Sequence, residues 1–199
     1  MNAPPKDLPL ILSELRTATT RQHQALELRI PFFTADRRLY TRLIEAYYGF
    51  YRSLENRLFQ VAMTIPDLDW LIRSKTPSLE ADLYALGLDA AAIEAIPLCT
   101  FAFQTDSIAR VLGVLYVLEG ATLGGQSLRS GLYSRLGIDE CLGGRFFAVY
   151  GTATGMMWRS FLACLYEVRD PLERARSVVA AQATFEAFEA WLEHHEVLI

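Results

Sequence analysis

An all-α fold of six to eight helices is what this chain predicts, and three observations carry that expectation. Apolar residues recur at steps of three and four over long stretches, strand-like alternation is sustained nowhere, and the interruptions carry helix-capping residues at one end and glycine or proline at the other. With 199 residues, 52% of them apolar, and a mean hydropathy of +0.17, the chain can bury one generous core. A single domain over residues 1–199 is expected, with about 1–7 as a flexible N-terminal tail.

The first helix is expected from about Leu8 to Leu28, where Leu12, Leu15, Thr19, Gln22 and Leu26 mark one stripe. A long second helix follows, N-capped by Thr34 or Asp36 and closed by Pro66. Shorter ones are expected at Ser78 to Leu86, ended by Gly87, and at Asp89 to Ala95. The stretch from about Thr105 to Leu136 reads as one long helix stopped by Gly137. After a turn at Tyr150 and Gly151 the chain becomes helical again towards Val168. The last helix has the clearest start: Asp170 caps it, Pro171 takes the first position, Glu173 is the reciprocal capping partner, and it continues through Trp191.

Composition narrows the function. Cys99, Cys141 and Cys164 are odd in number and widely spaced, which suits buried thiols in a reducing compartment better than zinc or disulfides. A formal charge of −4 with scattered Lys and Arg leaves no footprint for nucleic acid. The charge-free run from Val111 to Leu118 is shorter than a membrane span, and the N-terminus lacks an export pattern, so a soluble, cytoplasmic protein without membrane insertion is expected. A small molecule is the expected partner.

Among the three histidines, His194 and His195 sit beside Glu193 and Glu196 and read as solvated last-turn residues complementing the helix dipole. His23 lies about 20° beyond Leu12 on the helical wheel, at the edge of the apolar stripe. Arg16, Thr20 and Glu27 continue that flank. Glu27 is one turn on and can orient the imidazole through Nδ1, leaving Nε2 free as a ligand. Arg16, about 10 Å away along the axis, suits the carboxylate rim of a planar ligand. A half-buried histidine with no ligand is the other meaning of the same pattern.

In "LYVLEGATLGGQSLRSGL", Gly120, Gly124, Gly125 and Gly131 weaken a helix by about 1 kcal/mol each against alanine. Either a second helix packs closely there, or a flat ligand lies against backbone that carries no Cβ. The residues alone leave both open.

"ATTRQHQALE" and, later, "LYVLEGATLGGQ" resemble the haem oxygenase family, particularly its bacterial, biliverdin-forming members, and the similarity extends through "YYGFYRSLENRL", "YGTATGMMWRSF" and the last helix. The resemblance implies that His23 is the proximal ligand to haem iron, that Glu27 orients it, and that Gly120, Gly124 and Gly125 lie over the opposite haem face. It places Arg16, and less directly Thr20, at a propionate, with Arg129 and Tyr116 as further contacts. Where animal-type members carry an aspartate after the first glycine this chain has Ala121, so Gly120, Thr122 and Gly124 are the catalytic candidates, with Thr122 and backbone carbonyls ordering water. The reaction implied is cleavage of haem, both substrate and cofactor, to biliverdin, CO and ferrous iron. It uses O2 and electrons from an external reductase or ferredoxin, and a biliverdin-accepting protein is a further implied partner. The alternatives are a non-catalytic haem-binding or haem-transfer protein on the same fold, and a thiaminase-like or di-iron enzyme. The di-iron enzyme requires Glu-x-x-His pairs that the chain lacks.

Overall fold

The protein is described over residues 9–199 in a computed structural model; the expected tail at 1–7 and the expected helix start at Leu8 lie outside the described residues. Eight α-helices and two 3-10 turns, with no strand among the described residues, make up the fold. The helices are α1 (Leu10–Arg29), α2 (Arg37–Ala62), α3 (Trp70–Arg73), α4 (Thr76–Leu86), α5 (Ala90–Glu94), α6 (Ile108–Leu136), α7 (Thr154–Tyr166) and α8 (Pro171–His194). The 3-10 turns span Arg145–Ala148 and Gly151–Ala153.

Local chemistry explains most boundaries. Asp36, not Thr34, caps α2, accepting the Leu39 N–H at 2.7 Å. Ser107 rather than Thr105 starts α6, because the Thr105 hydroxyl accepts from Arg57 Nε at 3.3 Å. Gly87 and Gly137 end α4 and α6 with φ of +105° and +63°, a region side chains disfavour. Asp170 accepts the N–H groups of Leu172 and Glu173 at 2.9 and 3.0 Å, but Glu173 pairs with Arg176, so only half of the expected reciprocal cap forms. The short α3 was not predicted; four residues are too few for a periodic signal.

α6 packs against α8, α7 and α2, while α1 lies on α8. With its few charged residues included, α6 is long and apolar enough to cross a membrane, and 61% of that apolar window is buried in the interior as the core helix of this fold. It comes close to α8 at Gly113, where a Cβ would sit 2.1 Å from the Ser177 carbonyl oxygen. Ser177 seals the crossing by donating to the Ala109 carbonyl at 2.6 Å. Gly113→Ala should therefore force two backbones apart and lower stability by about 3 kcal/mol, measured by urea unfolding.

A buried ionic cluster joins α3, α4 and α6. Arg73, Lys75 and Glu119 are each 2% exposed or less. Glu119 accepts from Arg73 at 2.8 Å and from Lys75 at 2.7 Å. Glu55 on α2 accepts from the Lys75 and Thr76 N–H groups and from both the Ser74 and Thr76 hydroxyls. Two cations face two carboxylates, so the cluster is neutral and hydrogen-bonded throughout, the condition under which charges survive burial.

Asp82 on α4 holds the 3-10 turn that carries Phe146 and Phe147, accepting the N–H groups of Arg145 and Phe146 at 2.7 and 2.8 Å. Burial pushes its carboxyl up to about 6, against the lowering pull of those two bonds. The folded protein therefore binds this proton more tightly than the unfolded chain between about pH 4 and 6. The contribution of Asp82 to stability falls as pH rises through that window, by about 3 kcal/mol in total. The stability difference between wild type and Asp82→Asn, followed by urea unfolding from pH 4 to 7, should shift against the wild type mainly between about pH 4 and 6 and level off above that window.

Candidate functional site

Between α1 and α6 lies a cleft of about 430 Å³, within the usual range of small-molecule sites. α1 forms one wall with Arg16, Thr20, His23 and Glu27, and α6 the opposite wall with Tyr116, Gly120, Ala121, Gly124 and Gly125. The floor is aromatic, with Tyr47 and Tyr51 from α2, Phe146 and Phe147 from the 3-10 turn, and Phe185 and Phe188 from α8.

The α1 wall follows from helical spacing. Leu12, Leu15, Thr19 and Leu26 are buried, and the flank beside them is left facing the cleft. His23 is half exposed, and its Nδ1 stands 3.4 Å from Glu27 Oε2, an ion-pair distance rather than a short hydrogen bond. The edge of its ring rests on Phe185 at 6.0 Å between centroids and 85° between planes, so packing from α8 helps set its orientation.

On the α6 wall, a Cβ added to Gly120 or Gly124 meets nothing within 4 Å, whereas one on Gly125 would stand 3.3 Å from Phe147. Close helix packing, one meaning of these glycines in the sequence, belongs instead to Gly113. Gly124→Ala should leave ligand-free stability unchanged or raise it by up to about 1 kcal/mol, in contrast to Gly113→Ala; thermal melts of the two variants check this.

Eight of the ten sequence-derived candidates line the cleft: Arg16, Thr20, His23, Glu27, Tyr116, Gly120, Gly124 and Gly125. Two do not. Thr122 is buried with its hydroxyl donating to the Leu118 carbonyl at 3.0 Å, and Arg129 pairs with Glu140 at 3.0 Å. Thr122 lies two residues, about 200°, from both Gly120 and Gly124 and so turns onto another face, whereas Arg129, four residues after Gly125, is drawn away by its pair with Glu140.

His195 also departs from expectation. Its ring packs on Trp191 at 4.2 Å with Nε2 buried and unpartnered, and burial, reinforced by His194 and Arg42, lowers its pKa. It is a packed neutral ring rather than a solvated cation complementing the dipole.

Tyr47 and Tyr51 were not anticipated. They stack one turn apart at 6.1 Å and 9°. Burial raises both phenols, and no hydrogen bond contributes to either shift. The "YYGFY" run held the signal, two tyrosines four apart, but nothing in it says which face the cleft will occupy.

Among the described residues no three His, Cys, Asp or Glu side chains cluster to hold a metal ion, so a metal at His23 would arrive with its other ligands already in place. One imidazole, an aromatic floor and a facing wall with space where Cβ atoms would stand suit a flat, metal-bearing macrocycle. Fold and cleft thus define an all-helical protein with a single-imidazole, planar slot. Residues 10–194 match the family model described as Heme oxygenase, and the chain belongs to this family of haem-degrading enzymes. It is 28% identical over 155 residues, 77% of this chain and 88% of the relative, to the heme oxygenase of Xanthomonas campestris pathovar campestris. Solved structures of heme oxygenases share its fold. That of Neisseria meningitidis, with NO and CO bound, has a TM-score of 0.75 at 19% identity, covering 93% of this chain and 91% of that one. That of Leptospira interrogans has 0.74 at 18%, covering 92% and 98%. The heme complex from the cyanobacterium Synechocystis has 0.72 at 16%, covering 92% and 91%.

Proposed function

We propose that this chain binds haem in the cleft and oxidises it to biliverdin, with release of CO and ferrous iron, using O2 and electrons from an external reductase or ferredoxin. The observation that carries the proposal is the pairing of His23 on one wall with the open Cβ positions of Gly120 and Gly124 on the other. Haem supplies the redox chemistry as both cofactor and substrate. The protein's part is placement. His23 Nε2 is the iron ligand, with Glu27 and the edge of Phe185 holding the ring. Arg16, exposed on the same wall, takes a propionate; the Thr20 hydroxyl one turn on donates to the Arg16 carbonyl at 2.5 Å and must leave it to contact that group.

On the α6 wall, backbone at Gly120 and Gly124 sets the clearance over the ring, and the aromatic floor excludes water from below. Ala121 brings no carboxylate, so proton handling falls to the Tyr47 and Tyr51 hydroxyls and to water near backbone carbonyls. Thr122 and Arg129 take no part in this arrangement, Thr122 because it is buried and donates to the Leu118 carbonyl, Arg129 because it pairs with Glu140.

The test is direct: titrate haemin into the protein, look for a Soret band, then add ascorbate with catalase and look for the biliverdin spectrum. Ala121 favours a second reading, a haem-binding or haem-transfer protein without turnover; a haem complex that survives reduction in air would select it.

A further inference from the structure

Two anchors on a single dipeptide bracket the glycine stretch of α6. The Tyr150 hydroxyl donates to Glu119 Oε1 at 2.8 Å, one residue before Gly120. The Gly151 carbonyl accepts from Gln126 Nε2 at 2.9 Å, one residue after Gly125. Glu119 and Gln126 are seven residues apart, two turns and about 10 Å, and so project from nearly the same face of the helix. That is why one short segment reaches both.

The segment is itself fixed. Gly151 has φ of +50°, its carbonyl also accepts from the Thr154 hydroxyl at 3.0 Å, and the Tyr150 hydroxyl accepts from Lys75 at 2.6 Å. Between the anchors, Gly120 and Gly124 meet nothing on their Cβ side, so no contact steadies them from the cleft. Three glycines within six residues make this the intrinsically weakest part of the helix, where local opening is expected unless the ends are held.

We propose that Tyr150, Glu119 and Gln126 are positioning residues, a clasp that holds backbone 120–125 at a set height over the cleft. The clasp needs no ligand; its consequence for the reaction rests on the haem reading above. By fixing the clearance of the α6 wall it fixes which edge of a bound ring the wall shields, without any of the three side chains touching that ring.

The test uses Tyr150→Phe, Gln126→Ala and the double variant. Gln126 is exposed, Tyr150 is half-buried, and neither change unpairs a buried charge, since Glu119 keeps Arg73 and Lys75. In the ligand-free proteins, hydrogen exchange of the Gly120–Gln126 amides should rise about tenfold, with amides of α2 and α8 unchanged. With haem added, the double variant should give a broader mixture of biliverdin isomers at an affinity within about twofold of wild type, because the His23 wall is untouched. Wild-type exchange at residues 120–126, or a rise shared equally by α2 and α8, overturns the clasp. Failure of every form to take up haem would sink the haem reading alone and leave the exchange result to decide the clasp.

Discussion

His23→Ala should abolish the Soret band obtained on adding haemin and reduce biliverdin formation to the level of free haem, while changing ligand-free stability by no more than about 0.5 kcal/mol. The separation of the two effects follows from the site. The side chain is half exposed in the absence of ligand, its contact with Glu27 is long at 3.4 Å, and its ring touches Phe185 only at an edge, so little folding energy depends on it. Yet among the three histidines it is the one that lines the cleft. His194→Ala and His195→Ala should leave the spectrum intact, although the latter removes a ring packed on Trp191 and should cost about 1 kcal/mol of stability. A normal spectrum in the His23 variant would overturn the ligand assignment.

The largest loss of stability is expected from Glu119→Ala, about 3–5 kcal/mol in urea unfolding. The substitution leaves Arg73 and Lys75 buried with only Glu55 to balance them. Lys75 makes the effect depend on pH. Burial already lowers its pKa, and Glu119 is the main group opposing that shift. Without Glu119 the folded-state pKa drops further below 10.5, and the unfolded chain binds the proton more tightly across the widened window. Stability of the variant should therefore recover as pH rises through that window and worsen as pH falls. A loss independent of pH would mean that Lys75 does not carry the charge.

The helices and their ends were legible because their causes are local. Asp36 and Asp170 cap with their own side chains, Gly87 and Gly137 terminate with their own φ angles, and the stripe on α1 repeats at the helix's own period. The α1 wall was legible for the same reason: Arg16, Thr20, His23 and Glu27 ride one rigid helix, so their spacing in sequence sets their spacing in the molecule. The resemblance supplied the opposite wall by naming the glycine stretch and its order relative to His23.

Tertiary structure alone decided what each residue meets. Gly113, Gly120 and Gly124 share a letter and a helix, yet a Cβ on the first would strike Ser177 and on the others would meet open space. The aromatic floor is assembled from three elements far apart in the chain, so no local window contains it. Arginine and lysine usually lie at the surface, yet packing of α3, α4 and α6 buries Arg73 and Lys75 against Glu119. Thr122 and Arg129 stand in the right stretch and are engaged elsewhere, Thr122 because two residues of helix turn it about 200° away from Gly120 and Gly124, Arg129 because Glu140 pairs with it. Periodicity, caps and turns belong to a few consecutive residues and can be read from them. Burial, clearance and charge pairing belong to pairs of helices, and they come into existence only when those helices pack.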